Sequence, residues 1–184
     1  MLKYIEEFGK YVLITGFRNV KIKNQEEFLK KTRKDMPLNV EFQFFDARFV
    51  ATWEHLYFAV LNALTAFESK ENISKSLAME TMIYASAQRQ IQRAMKNLGI
   101  KPETSEIALV IIGDNSVSLK SALSKISAST KMQLDETVLK LTKEKERVIR
   151  ERFGVSDLEL KTVKEKNALT NLVIERMALS AVQR

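Results

Sequence analysis

Cysteine is absent from the 184 residues, and histidine occurs once, at His55. These absences exclude disulfide scaffolds, iron-sulfur clusters, zinc ribbons and cysteine nucleophiles, and they leave room for a metal only in a site built from carboxylates alone. Glycine is scarce at five and proline scarcer at two, which argues against collagen-like repeats, disorder and long flexible loops. Gly9, Gly16, Gly99, Gly113 and Gly154 stand too far apart for a G-x-G-x-x-G or Walker loop, so phosphate cradling of the nucleotide-enzyme kind has no support. The longest apolar run, 56–66, is interrupted by Asn62 and Thr65 and falls short of the roughly 20 residues that span a bilayer. Glu6 and Glu7 stand where a secretory signal would carry its apolar core. The expectation is a soluble, cytoplasmic chain with no membrane partner, no small-molecule substrate, no metal and no cofactor.

What is present is a basic chain of ordinary core content. Thirty Lys and Arg against 23 Asp and Glu give a net charge of +7, and 45% of the residues are hydrophobic. Such a length forms one domain, here expected over 1–184, with enough buried surface to fold without staples. Residues 11–17 read as a strand between Gly9 and Gly16, and 40–47 as a second. Asn24 and Glu27 resemble a capping box opening a helix that Pro37 closes, and 53–67 is a helix apolar almost all round. A third helix, capped near Asn72 and Ser74, keeps its period to Gly99 with a break at Ser86. The run 107–112 reads as a strand buried on both faces. A weak helix over 117–126 follows, then an amphipathic one with Val138, Leu141, Val148 and Ile149 on one side. Ser156/Glu159 and Thr162/Glu165 are capping boxes for a short helix and the last one. The pattern predicts an α+β fold, a two-layer α/β sandwich in which a small sheet is packed by several helices.

Catalytic constellations are missing. His55 lies on a mostly apolar helix and reads as a hydrogen-bonded structural histidine. Asp46 and Asp114 each follow an apolar strand and read as turn residues, while Glu80 shares a helix line with apolar neighbours and needs an ion pair or a cap. A carboxylate-based, metal-dependent nuclease using Asp46, Glu80 and Asp114 is the rival reading these residues leave open. Phe42, Phe44, Phe45 and Phe49 have strand spacing and read as core before base-stacking platforms.

The basic excess has one local concentration. No acidic residue occurs between Glu80 and Glu103, where Arg89, Arg93, Lys96 and Lys101 fall. Spacings of four and three place Arg89, Arg93 and Lys96 on one helix face, opposite Ile91, Ala94 and Leu98, with Gln92 beside them. Such a face suits a phosphate backbone, with Ser86 read as the cap of that helix, and a solvated helix face remains the alternative. The last helix, through Leu172, Met177, Leu179 and Val182, carries more apolar surface than one stripe hides. Either a partner protein or the chain's own core is its cover.

One series of segments resembles a known family. Phe45-Asp46-Ala47-Arg48 leads into Glu54-His55-Leu56 and a long Ala-rich helix. Then come Asn72-Ile73-Ser74 with Leu77 and Glu80, and Tyr84-Ala85-Ser86-Ala87-Gln88-Arg89-Gln90-Ile91 with Gly99-Ile100. In order and spacing these resemble the kinase-binding accessory subunit of the KEOPS complex. The match is best over 44–112 and weak before 40. The resemblance implies a non-catalytic regulatory protein that docks on the small RIO-like kinase of that complex, whose separate catalytic subunit forms threonylcarbamoyl-adenosine beside the tRNA anticodon. Archaeal members are also implied to bind the CCA tail of tRNA. A tRNA contact at Arg89, Gln92, Arg93, Lys96 and Lys101 and a kinase contact at Leu172, Met177, Leu179 and Val182 are the site expectations. A protein-interaction module without RNA affinity is the further alternative.

Overall fold

The computed structural model describes residues 1–34, 36–163 and 165–182, the last two of these without their side chains. Its centre is the strand β4 (Ile107–Gly113), whose seven residues are all buried. On one side β4 pairs with β2 (Lys10–Arg18) and on the other with β3 (Val40–Asp46), both antiparallel. The edge beyond β2 is shared by β1 (Leu2–Ile5), paired over Lys10 to Leu13, and the two-residue β5 (Gln133–Leu134), paired at Phe17 and Arg18. The order is thus β1-β2-β4-β3.

Alternation along β4 divides the interior in two, because successive side chains leave a strand on opposite faces. Ala108, Val110 and Ile112 join Val12, Ile14 and Phe45 in the larger core. That face is covered by α2 (Trp53–Glu68), α3 (Leu77–Ala85), α6 (Lys143–Phe153) and α8 (Ala168–Val182), which contribute Leu56, Met82, Ile149 and Val173. Ile107, Leu109 and Ile111 join Leu13, Phe17 and Phe44 in the smaller core, under α1 (Gln25–Arg33) and α5 (Ser116–Thr130). The α+β class and the small helix-packed sheet stand as expected, and α1 and α5 add a helical layer on the opposite face. The continuous apolar run of β4 requires that second cover.

Local chemistry sets the ends of several elements. Asn24 caps α1 by accepting from Glu27 N at 3.0 Å. Ser156 opens α7 (Asp157–Thr162) with a reciprocal capping box to Glu159. Gly16 is needed where the segment 135–138 crosses β2, since a Cβ there would lie 2.2 Å from Val138 Cγ2 and 2.8 Å from Asp135 O.

Three boundaries differ from expectation. Thr162 ends α7 and donates its hydroxyl to Leu158 O at 2.8 Å, so it does not open the last helix, which starts at Ala168. Val138 sits on a separate 3-10 turn, Glu136–Leu139, and α6 begins only after Thr142, whose hydroxyl accepts from Lys145 N. Finally, β1 and β5 are edge strands with mostly exposed residues, so no hydrophobic alternation marks them. Among the described residues no helix is long and apolar enough to cross a membrane.

Candidate functional site

The basic helix foreseen after the break at Ser86 is α4 (Ile91–Leu98), and the way α3 ends determines where it points. Ala87 adopts a left-handed conformation, φ 50°, that lets Gln88 N donate to Ile83 O at 3.3 Å and Ala87 N donate to Tyr84 O at 2.9 Å. Ser86 donates its hydroxyl to Ile83 O, so it closes α3 and is not the cap of the basic helix. The N-cap of α4 is Gln90, without a side-chain hydrogen bond.

His55 fixes this turn from below. Its ring is fully buried, and Ala51 N donates to Nδ1 at 3.2 Å. Nδ1 is therefore the acceptor, which leaves the proton on Nε2 to be donated to Ala85 O at 2.8 Å. Burial pushes the imidazole down to about 4, partly opposed by that carbonyl, so the ring is neutral near neutral pH. It is a structural histidine that ties α2 to the last residue of α3.

From there α4 buries Ala94 and Leu98 and turns Gln92, Arg93 and Lys96 outward. Arg89 is exposed just before the helix, and Lys101 is half-buried just after it. Arg89 therefore stands outside the helix face on which its spacing put it, and Arg89 and Lys101 flank opposite ends of α4. Ile91, assigned to the buried side from its spacing, is 40% exposed, because it opens the helix at its free end. The basic surface also reaches residues that the sequence did not single out. Arg152 Nη1 donates to Asn97 Oδ1 of α4 at 3.3 Å, and its guanidinium lies 4.1 Å from the centroid of Phe49. Arg48 lies 5.3 Å from the same ring. No sequence signal connects residue 152 with 49, since the sheet and α6 bring them together.

The carboxylates of the nuclease rival are kept apart. Asp46 opposes Ile107 at one end of β4 while Asp114 follows Gly113 at the other, which separates them by about 24 Å at strand rise. Asp46 accepts from Arg48 N, Arg48 Nε and Thr104 Oγ1, and Asp114 pairs with Lys10. Glu80 caps the preceding loop by accepting from Ile73 N at 3.0 Å and Ser74 N at 2.7 Å. Among the described residues no three His, Asp or Glu side chains form a metal-binding group.

For the last helix the structure corrects the surface expectation. Met177 is fully buried and Leu172 is 5% exposed, both in the larger core with Leu169 and Val173. The wide apolar face of α8 packs largely into its own chain. Leu179, at 46% exposure, faces solvent, and the side chain of Val182 lies outside the described residues.

Comparison with known proteins gives this architecture a context. A family model described as kinase binding protein CGI-121 matches residues 17–181. The regulatory protein Cgi121 of Methanocaldococcus jannaschii is 31% identical over 163 residues, which are 88% of this chain and 98% of that protein. The matched region runs from the end of β2 nearly to the end of α8 and so includes most of both cores, the α3 to α4 turn and α4. On that extent the chain belongs to the CGI-121 family of kinase-binding proteins.

Proposed function

We propose that this chain is a regulatory subunit without catalysis of its own, which docks on a small RIO-like kinase and holds tRNA beside it in a KEOPS-type tRNA-modifying assembly. Membership of the kinase-binding family supports the docking half of this reading. The observation that carries the RNA half is α4, with Gln92, Arg93 and Lys96 exposed along one helix face in a segment free of acids, flanked by Arg89 and Lys101. Cations held on a rigid helix can follow a phosphate backbone, while Gln92 is suited to a base edge or a sugar hydroxyl.

The kinase contact belongs on the outward flank of α8 around Leu179, since Leu172 and Met177 are used inside the fold. The CCA preference rests on the family resemblance and has its own control. Full-length tRNA and tRNA trimmed of its CCA are titrated at fixed salt, in parallel with capture of the kinase. Tighter binding of the full-length form supports tail recognition, whereas equal affinities leave only a general basic patch. Kinase capture without affinity for either RNA means a pure docking protein.

A further inference from the structure

A cleft of about 370 Å³ opens on the side of the sheet where β2 ends and α6 begins, lined by Arg18, Arg48, Glu106, Thr137, Thr142 and Lys145. Its unusual member is Lys145. The residue is only 8% exposed, and among the described residues its ammonium makes one hydrogen bond, Nζ donating to Val138 O at 2.8 Å. An ammonium has three donors, so two are left at the wall of a cavity. The acids that act on it by charge are Glu106 and Asp46. Both are already engaged, Glu106 by Arg18 Nε at 3.0 Å and Asp46 by Arg48 Nε at 2.9 Å.

Two more donors point to the same place. Helix α6 starts at this wall, and although Thr142 Oγ1 accepts from Lys145 N, the N–H groups of Lys143 and Glu144 have no partner within the helix and supply partial positive charge. The Arg48 guanidinium spends one edge on Asp46 while its side chain remains 44% exposed at the rim. The charged lining comprises four cations, Arg18, Arg48, Lys140 and Lys145, against two acids, Glu106 and Glu144. What distinguishes the cleft is a recessed ammonium with one hydrogen bond, and a buried cation in that condition is costly unless something anionic completes it.

We infer that this cleft binds the terminal phosphate of a small phosphorylated molecule, held by Lys145, the rim of Arg48 and the first-turn N–H groups of α6. A phosphate supplies three acceptor oxygens and up to two negative charges, which match this set of donors. The recessed ammonium favours a small ligand over a nucleic-acid strand, because backbone phosphates are reached by cations that project, as those of α4 do. The volume also falls in the ordinary range for small-molecule sites, roughly 300–1,000 Å³. This inference is independent of the RNA reading of α4. Burial holds the Lys145 ammonium down to about 8, against the opposing pull of Glu106 and Asp46.

The test uses the whole chain, with inorganic phosphate and adenosine 5′-monophosphate as probes at constant ionic strength set by chloride. The Cε resonance of Lys145 and the amide resonances of Lys143 and Glu144 are followed by NMR. The expected result is a set of saturable shifts confined to the cleft, a rise of about one unit in the Lys145 pKa on saturation, and affinity lowered tenfold or more in Lys145→Met. Absence of saturable shifts, or a Lys145 pKa that phosphate leaves unchanged, overturns the inference, and this second reading needs no variant to fold. Equal affinity of folded Lys145→Met overturns it too. Displacement of the bound monophosphate by tRNA would assign the cleft to RNA and end the small-molecule reading, whereas simultaneous binding of both upholds it.

Discussion

Helices α4 and α8 were both marked by their sequences as surfaces awaiting a partner, and the fold treats them in opposite ways. In α4 the charged and apolar residues are segregated, and that segregation alone decides the orientation: Ala94 and Leu98 go in, and Arg93 and Lys96 stay out. In α8 apolar residues cover more than one stripe, and such a pattern says only that the helix is covered, not by what. Its cover is α2 and α3 of its own chain, through Leu172, Val173 and Met177. One-sided charge is therefore informative about a surface, while a wide apolar face is informative about a core of any ownership.

The strongest way to break that comparison is to put a charge into α8. Met177→Glu places a carboxylate at a fully buried position with no cation supplied, at an expected cost of about 4 kcal/mol or more. Urea unfolding should show loss of most of the native stability. A variant that stays as stable as the parent would mean that α8 is not part of the core, and that the apolar pattern advertised a partner after all.

His55 is the polar joint beneath the α4 side of this comparison, since it ties α2 to the end of α3 from which α4 departs. Its folded pKa of about 4 lies below the ordinary 6.5. Between those values the unfolded chain takes up a proton that the folded chain refuses. The contribution is therefore complete above about pH 6.5 and is lost as pH falls towards 4, amounting to roughly 3 kcal/mol. Unfolding midpoints measured from pH 7 to 4 should fall steeply for the parent and less steeply for His55→Gln. Glu159, held down to about 2 by Ser156 and Arg176, adds its own loss from about pH 4.5 downward, so it overlaps only the acid end of that window. Parallel curves for the two proteins would remove His55 from the joint.

Much of this division was legible in the sequence. The runs of β2, β3 and β4, the caps at Asn24 and Ser156, and the break near Ser86 are local patterns with local causes. What escaped is non-local. Strand β1 carries Leu2, Lys3 and Tyr4 outward and is defined by pairing with β2, so nothing in its own four residues announces it. At the α3 to α4 turn the left-handed residue is Ala87, not a glycine, so the position of the break showed while its mechanism did not. Likewise the α4 face was readable from spacing, but its extension through Arg152, Phe49 and Arg48 needed three elements folded together.

A gentler change sharpens the comparison within α8. Leu179→Glu alters an exposed side chain and should move folding stability by no more than about 0.5 kcal/mol. If the outward flank of the helix meets the kinase, the same variant should bind it at least tenfold more weakly, equivalent to about 1.4 kcal/mol. Calorimetric titration of the purified kinase measures this directly. Full affinity in a folded Leu179→Glu protein would move the kinase contact off α8, and the helix would be core alone.

The smallest effect is expected at α4, where the change leaves the fold untouched and alters only a slope. Arg93→Gln and Lys96→Gln each remove one exposed charge from a helix whose anchors, Ala94 and Leu98, remain in place, so unfolding curves should overlay the parent. If each side chain neutralises one phosphate, the slope of log affinity for tRNA against log salt should shrink by about 0.7 to 0.9 per variant, and by about twice that in the double variant. The effect should be alike for tRNAs of different sequence, because a phosphate contact carries no base information. Gln92→Ala should leave the slope alone and change affinity only where a base or sugar contact is lost. An unchanged slope in the double variant would make the acid-free face of α4 a solvated helix surface. It would then differ from α8 only in facing water, and the RNA half of the proposed function would lose the observation it stands on.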